Sequence, residues 1–191
     1  MPGYRLIIAL IVLGLLTACS ARQITEHYSG ATEQRLVTHS IHRLLENLPR
    51  EDFAVLLNQP VFLECFFVNQ TAGPLEYARQ RLEMALKNQC NCRLVETPAE
   101  AAYTLTVFFT SLGTNFDKFG LTTPELILPV TGGISAIDII ALEMYHGISS
   151  CNYFITETGG QVIVAGQMKK KVVRNDSLKL PLISIPIKTV P

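Results

Sequence analysis

The sequence predicts an α+β fold, a mixed sheet packed by two helices, and three observations predict it. Two segments carry apolar residues three and four positions apart, and several shorter ones are rich in β-branched and aromatic residues. The segments also follow one another as helix, strand, helix, strand, strand, giving a βαββ core that leads into a β-hairpin. With 191 residues, 48% of them hydrophobic, the chain is long enough for one domain with its own core, expected over residues 32–191.

The first helix begins near Thr32, where Val37, Ile41, Leu44, Leu45 and Leu48 share one face before Pro49 ends the run. Residues 61–68 are apolar on both alternating faces apart from Glu64, as in a strand covered on both sides. Gly73 and Pro74 open a second helix, with Leu75, Ala78, Leu82, Ala85 and Leu86 as its apolar stripe, ending near Asn88. Residues 92–96 read as a short strand. A turn at Thr97-Pro98-Ala99-Glu100 leads to a longer one in which Tyr103, Leu105, Val107 and Phe109 alternate with threonines.

Residues 113–135 hold several glycines and prolines and are expected to form a long irregular connection. Residues 137–145 suit helix or strand equally. Thr158-Gly159-Gly160 is the turn of a hairpin between residues 151–157 and 161–166. Pro181, Pro186 and Pro191 rule out a helical tail from Leu178 onward and leave an extended edge or a polyproline segment.

Sixteen basic and sixteen acidic residues give zero formal charge, so the chain has no basic footprint for nucleic acid. Mean hydropathy is positive, at +0.27, with much of it supplied by the first residues. There Arg5 precedes an apolar run over residues 6–16, the length of a signal-peptide core and short for a membrane span. The run closes on Leu16, Thr17, Ala18 and Cys19, which resembles the lipobox of bacterial lipoproteins.

That resemblance implies removal of residues 1–18 by a dedicated signal peptidase and lipid on the Cys19 sulfur and its new amino terminus. Several acyl chains, at about 0.8 kcal/mol per buried CH₂, make a firm anchor. Ser20, where an aspartate would favour inner-membrane retention in such lipoproteins, points to the outer membrane and its periplasmic side. Residues 19–31 are then a polar tether. The strand at residues 61–68, the helix at 75–87 and the strands at 92–95 and 102–109 also resemble small periplasmic domains of uncharacterised outer-membrane lipoproteins. The similarity extends more distantly to envelope-assembly and surface-exclusion lipoproteins, and it implies fold and location but no catalytic residue.

Four cysteines remain: Cys65, Cys90, Cys92 and Cys151. In an oxidising compartment an even number suggests up to two disulfides, with three connectivities. Cys90-Asn91-Cys92 lacks the spacing of thioredoxin-like or zinc motifs. His39 and His42 are one helical turn apart, but two ligands do not make a zinc site. His146, Cys151 and Asp138 are the residue types of a nucleophile triad without a spacing that assembles one. Leu128-Pro129-Val130-Thr131-Gly132 matches a sortase signal but is followed by too much chain, and Lys169, Lys170 and Lys171 read as a solvated strand end.

The expectation is a membrane-anchored, non-enzymatic binding or envelope-maintenance component without a metal or cofactor. Its candidate partners are an envelope protein or a cell-wall polymer, meeting residues 113–135 or 178–191. The competing readings are a thiol-dependent or hydrolytic enzyme using Cys151, Cys90 or Cys92, and a carrier of an apolar ligand.

Overall fold

A computed structural model describes residues 22–23, 30–68, 72–123, 126–127, 134–135, 138–181 and 183–188. In chain order the elements are β1 (Arg22–Gln23), α1 (Ala31–Leu45), α2 (Arg50–Phe53), β2 (Pro60–Phe67), α3 (Ala72–Cys90) and β3 (Arg93–Val95). After them come β4 (Tyr103–Thr122), β5 (Leu126–Ile127), β6 (Ile134–Ser135), β7 (Asp138–Glu157), β8 (Val162–Lys179) and β9 (Ser184–Lys188). The fold is α+β: three helices pack on a mixed open sheet of six strands, ordered β3-β2-β4-β7-β8-β9, with β1 pairing to β4.

The β2–α3–β3–β4 segment is the expected βαββ core. β2 lies parallel to β3, with Pro60 opposite Arg93, and parallel to β4, with Val61 opposite Tyr103 and Phe67 opposite Phe109. β8 and β9 are antiparallel, Asn175 opposite Lys188. The hairpin between β7 and β8 turns at Thr158-Gly159-Gly160, where Gly159 and Gly160 take φ of 140° and 87°, values that a side chain disfavours.

Chain contacts divide the molecule into two compact units. One comprises Tyr28–Thr114 and His146–Val173 and holds all three helices. Its core lies between the helices and one face of the sheet. Ile41, Leu44 and Leu45 of α1 and Ala78, Leu82 and Leu86 of α3 meet Val61, Leu105, Val107, Cys151, Tyr153 and Ile155 from the strands. Both helices therefore bury the stripes that their spacing defines. Phe53 and Leu56 join this core from α2 and the 3-10 turn behind it, a segment of four plus three residues too short to show a period. Gly166 lies against the Tyr153 ring, where any Cβ would collide with the phenol.

The other unit takes in Asn115–Tyr145 and Arg174–Pro191, with β1, and has no helix among its described residues. Phe116 packs on Tyr145 with ring centroids 4.6 Å apart. Lys118 pairs with Asp138 at 2.7 Å, and Glu143 lies 3.9 Å from Lys118 and 3.6 Å from Lys179, so charges of alternating sign link β4, β7 and β8. Such pairs contribute about 0–1 kcal/mol each at a surface. Gly120 lies against the backbone of Ile140 and Ala141 and leaves no room for a side chain.

Three local expectations differ from the structure. Residues 61–68 were expected to be covered on both faces, yet the helices cover only the face of Val61, Leu63, Cys65 and Phe67, while Phe66 on the other is 46% exposed. The irregular connection is shorter than its composition suggests, because β4 continues to Thr122 and the ambiguous residues 138–145 belong to β7. Backbone pairing across the sheet outweighs the local turn preference of Asn115 and Asp117. Arg22 and Gln23, within the expected tether, pair with Lys118 and Asp117. Of the other readings, the leader, Leu16, Thr17, Ala18, Cys19 and residues 128–132 lie outside the described residues.

Leu82 is fully buried whereas Met84, on the same helix, is 52% exposed. Leu82→Ala is expected to cost about 2–5 kcal/mol by lost burial and the cavity left behind, and Met84→Ala about 0.5 kcal/mol or less. Chemical denaturation of the two variants beside the wild type checks the difference.

Candidate functional site

Strand alternation sends every second side chain of β2, β4 and β7 away from the helices. On that outer side Phe66 and Phe108 stack with ring centroids 5.2 Å apart, and Phe154 meets Phe108 edge-on at 6.0 Å. They come from three adjacent strands, since Phe66 pairs with Phe108 in the parallel β2–β4 ladder and β7 is the next strand. Phe66 and Phe108 are 46% and 43% exposed, and Val68, beyond the end of β2, is 95% exposed. Around them stand Thr106, bonded to Glu64 at 3.4 Å, and Thr110, bonded to Ser150 at 2.7 Å. Among the described residues the arrangement is an apolar aromatic strip with hydroxyls and the Glu64 carboxylate beside it, suited to apolar contact.

The cysteines lie elsewhere in the helical unit, and all four are free thiols. Cys65 of β2 and Cys151 of β7 belong to the face beneath the helices, and burial pushes each thiol up to about 12. A thiol that stays protonated in this way is a poor nucleophile. Asp138 is engaged by Lys118 at 2.7 Å, so its carboxylate is paired with a cation. Cys90 ends α3 and Cys92 precedes β3, both buried.

Among the histidines, the His42 ring nitrogen faces the Arg81 guanidinium, and a cation donor in that place opposes a metal ion. No group of three or more His, Cys, Asp or Glu suited to a metal occurs among the described residues. Lys169, Lys170 and Lys171 are exposed along β8. Of the two surfaces expected to meet partners, residues 184–188 form the edge strand β9, where Ile185 and Ile187 are 47% and 48% exposed and Pro186 removes a backbone donor. Residues 113–122 belong to β4.

Among the described residues, two cavities open on the helical unit. One of about 310 Å³ is lined by Leu48, Arg50, Phe53, Ala54, Leu57, Gln89 and Cys90. The other, about 330 Å³, lies at the β2–β3 edge between Leu63, Leu94 and Val95 and the charged Arg79, Glu83 and Lys87 of α3. Neither contains the phenylalanine strip. Sequence reasoning did not single out that strip, although the apolar character of both faces of residues 61–68 was its visible trace. No known protein family matches this chain, and no curated protein is similar enough to it to count as a relative.

Deeper in the same unit Tyr153 donates a hydrogen bond to the Asp52 carboxylate and packs edge-on against Phe53, centroids 5.0 Å apart. Burial and the bond to Asp52 hold the phenol above its ordinary value near 10. A raised acid contributes stability that is complete below the unfolded value, about pH 10, and lost as pH climbs through the folded one. Tyr153→Phe is expected to cost about 1–3 kcal/mol at neutral pH, and to remove the latest-ionising phenol from an ultraviolet difference titration.

Proposed function

We propose that this chain is an exported lipoprotein, held at the outer membrane through lipid on Cys19, that acts as a non-enzymatic binding component of the envelope. The observation that carries the binding half is the phenylalanine strip, in which Phe66 and Phe108 are exposed and Phe154 is half-buried beside them. Clustered exposed aromatics mark contact surfaces. The occupant that fits is a protein partner in the envelope. Aromatic side chains of this kind are typical anchors of protein interfaces, and Glu64 is the only charge the neighbouring positions of β2 and β4 bring to the strip.

The anchoring half rests on Leu16, Thr17, Ala18 and Cys19 and on the apolar run before them. No described helix is long and apolar enough to cross a membrane. Intact-mass measurement of the membrane fraction, wild type beside Cys19→Ala, is expected to find a lipid mass only in the wild type. An unlipidated wild type overturns the anchor.

The binding half is tested by placing a photoreactive phenylalanine analogue at position 66 and irradiating intact cells. The expected product joins the chain to one other envelope protein, and its yield falls at least about tenfold in Phe108→Ser, the loss of about 1.4 kcal/mol of contact. Thermal unfolding of Phe108→Ser establishes that the domain still folds. Crosslinks only to cell-wall polymer, only to a second copy of the chain, or undiminished in Phe108→Ser overturn the reading.

A further inference from the structure

Of the three ways to pair Cys65, Cys90, Cys92 and Cys151, the fold leaves room for one bridge. A disulfide needs Cα atoms within about 7 Å of each other. Cys65 and Cys151 sit on β2 and β7 with the whole of β4 between them, two strand spacings or roughly 9.5 Å. Arg93 pairs with Pro60, so Cys92 lies beside Gln59, and Cys65 is six residues farther along β2, on the order of 20 Å. Cys90, at the same end of α3, is as remote from it, and so is Cys151 from both, since its neighbour Ser150 meets Thr110, next to the Phe109 that pairs with Phe67 at the far end of β2.

Cys90 and Cys92, by contrast, flank a single residue at which the backbone turns back. Asn91 takes φ of 49°, the left-handed conformation that folds the chain back at the end of α3. Asn58, at φ 60°, meets it: the Asn91 side-chain amide donates to the Asn58 side-chain oxygen at 2.7 Å, and the Asn58 N–H donates to the Cys90 carbonyl at 3.0 Å. The Arg93 N–H donates to the Gln59 carbonyl at 3.0 Å. Within this clasp the Cys92 thiol donates to the Leu56 carbonyl at 3.2 Å and neighbours the Cys90 thiol. The bond from Cys92 lowers the Cys90 thiol from its ordinary value, while Cys92 itself is raised. Cys90 also lines the 310 Å³ cavity, and Cys92 does not.

We propose that Cys90 and Cys92 are a reactive dithiol, which a small disulfide entering this cavity oxidises to a Cys90–Cys92 bridge while Cys65 and Cys151 remain thiols. The Cys90 thiolate attacks one sulfur of the small disulfide, whose S–S bond breaks and releases one half as a thiolate. That thiolate takes the Cys92 proton. The Cys92 thiolate then attacks the Cys90 sulfur and expels the second half, which takes up the proton that Cys90 lost. Two protein thiols are oxidised and the small disulfide is reduced to two thiols. Oxidation also withdraws the hydrogen that Cys92 offers to Leu56, so the clasp beside the cavity loses one of its bonds.

The test uses the full chain purified reduced from membranes, treated while folded with glutathione disulfide, then acid-quenched, alkylated and digested with trypsin. Residues 88–93 leave as one peptide that contains both cysteines. It is expected to be lighter by two hydrogens and unalkylated, with Cys65 and Cys151 alkylated only after denaturation. Cys92→Ser is expected to stop at a glutathione adduct on Cys90, and Cys90→Ser to give no adduct in the same time, each variant's folding being checked by thermal unfolding. A bridge to Cys65 or Cys151, an adduct on Cys92 in Cys90→Ser, or no reaction until the protein is unfolded overturns the proposal.

Discussion

Burial of one face of β2, β4 and β7 beneath α1 and α3 is the constraint on which the helical unit depends. Ile41, Leu82, Val61, Leu105 and Ile155 are each fully buried in that layer. Once one face of a strand is committed to the core, its alternating partners have no choice of side, because a slip of one residue would send the apolar set to solvent. Phe66 and Phe108 are outside because Cys65, Phe67, Val107 and Phe109 are inside. The phenylalanine strip is therefore a direct consequence of the packing rather than a separate feature of the surface.

The same packing determines which polar groups can react. Cys65 and Cys151 are fixed on the core face, where burial favours the neutral thiol, and Tyr153 is held there by its bond to Asp52. Cys90 and Cys92 stand at the margin of the core, where α3 gives way to β3 and the backbone must turn sharply. Left-handed Asn58 and Asn91 meet at that point, and hydrogen bonds between two loops replace helix and sheet ladders. Chemical difference among four cysteines thus follows from their places in one architecture.

Much of the fold was legible along the chain. Val37, Ile41, Leu44 and Leu45 recur at the period of a helix, and Ala78, Leu82, Ala85 and Leu86 do the same; each group is buried. Glycines at 159 and 160 mark a turn that the structure contains. What escaped notice were features without a local period or with a misleading composition: α2, four residues long, and the continuation of β4 through Asn115 and Asp117. The aromatic strip escaped for another reason. Phe66, Phe108 and Phe154 are far apart in sequence, and only pairing among β2, β4 and β7 makes them neighbours.

By itself the sequence determined the α+β class, the two long helices and the strand-helix-strand-strand order, because hydrophobic period and turn residues act over a few positions and need no distant partner. It also holds the lipobox resemblance around Cys19, a signal contained in neighbouring residues. Tertiary structure decided which face of β2 is covered, which aromatic rings touch and which two of four cysteines converge. Each of these depends on strand order and register between segments up to about a hundred residues apart, and such long-range pairings are set only when the whole core closes.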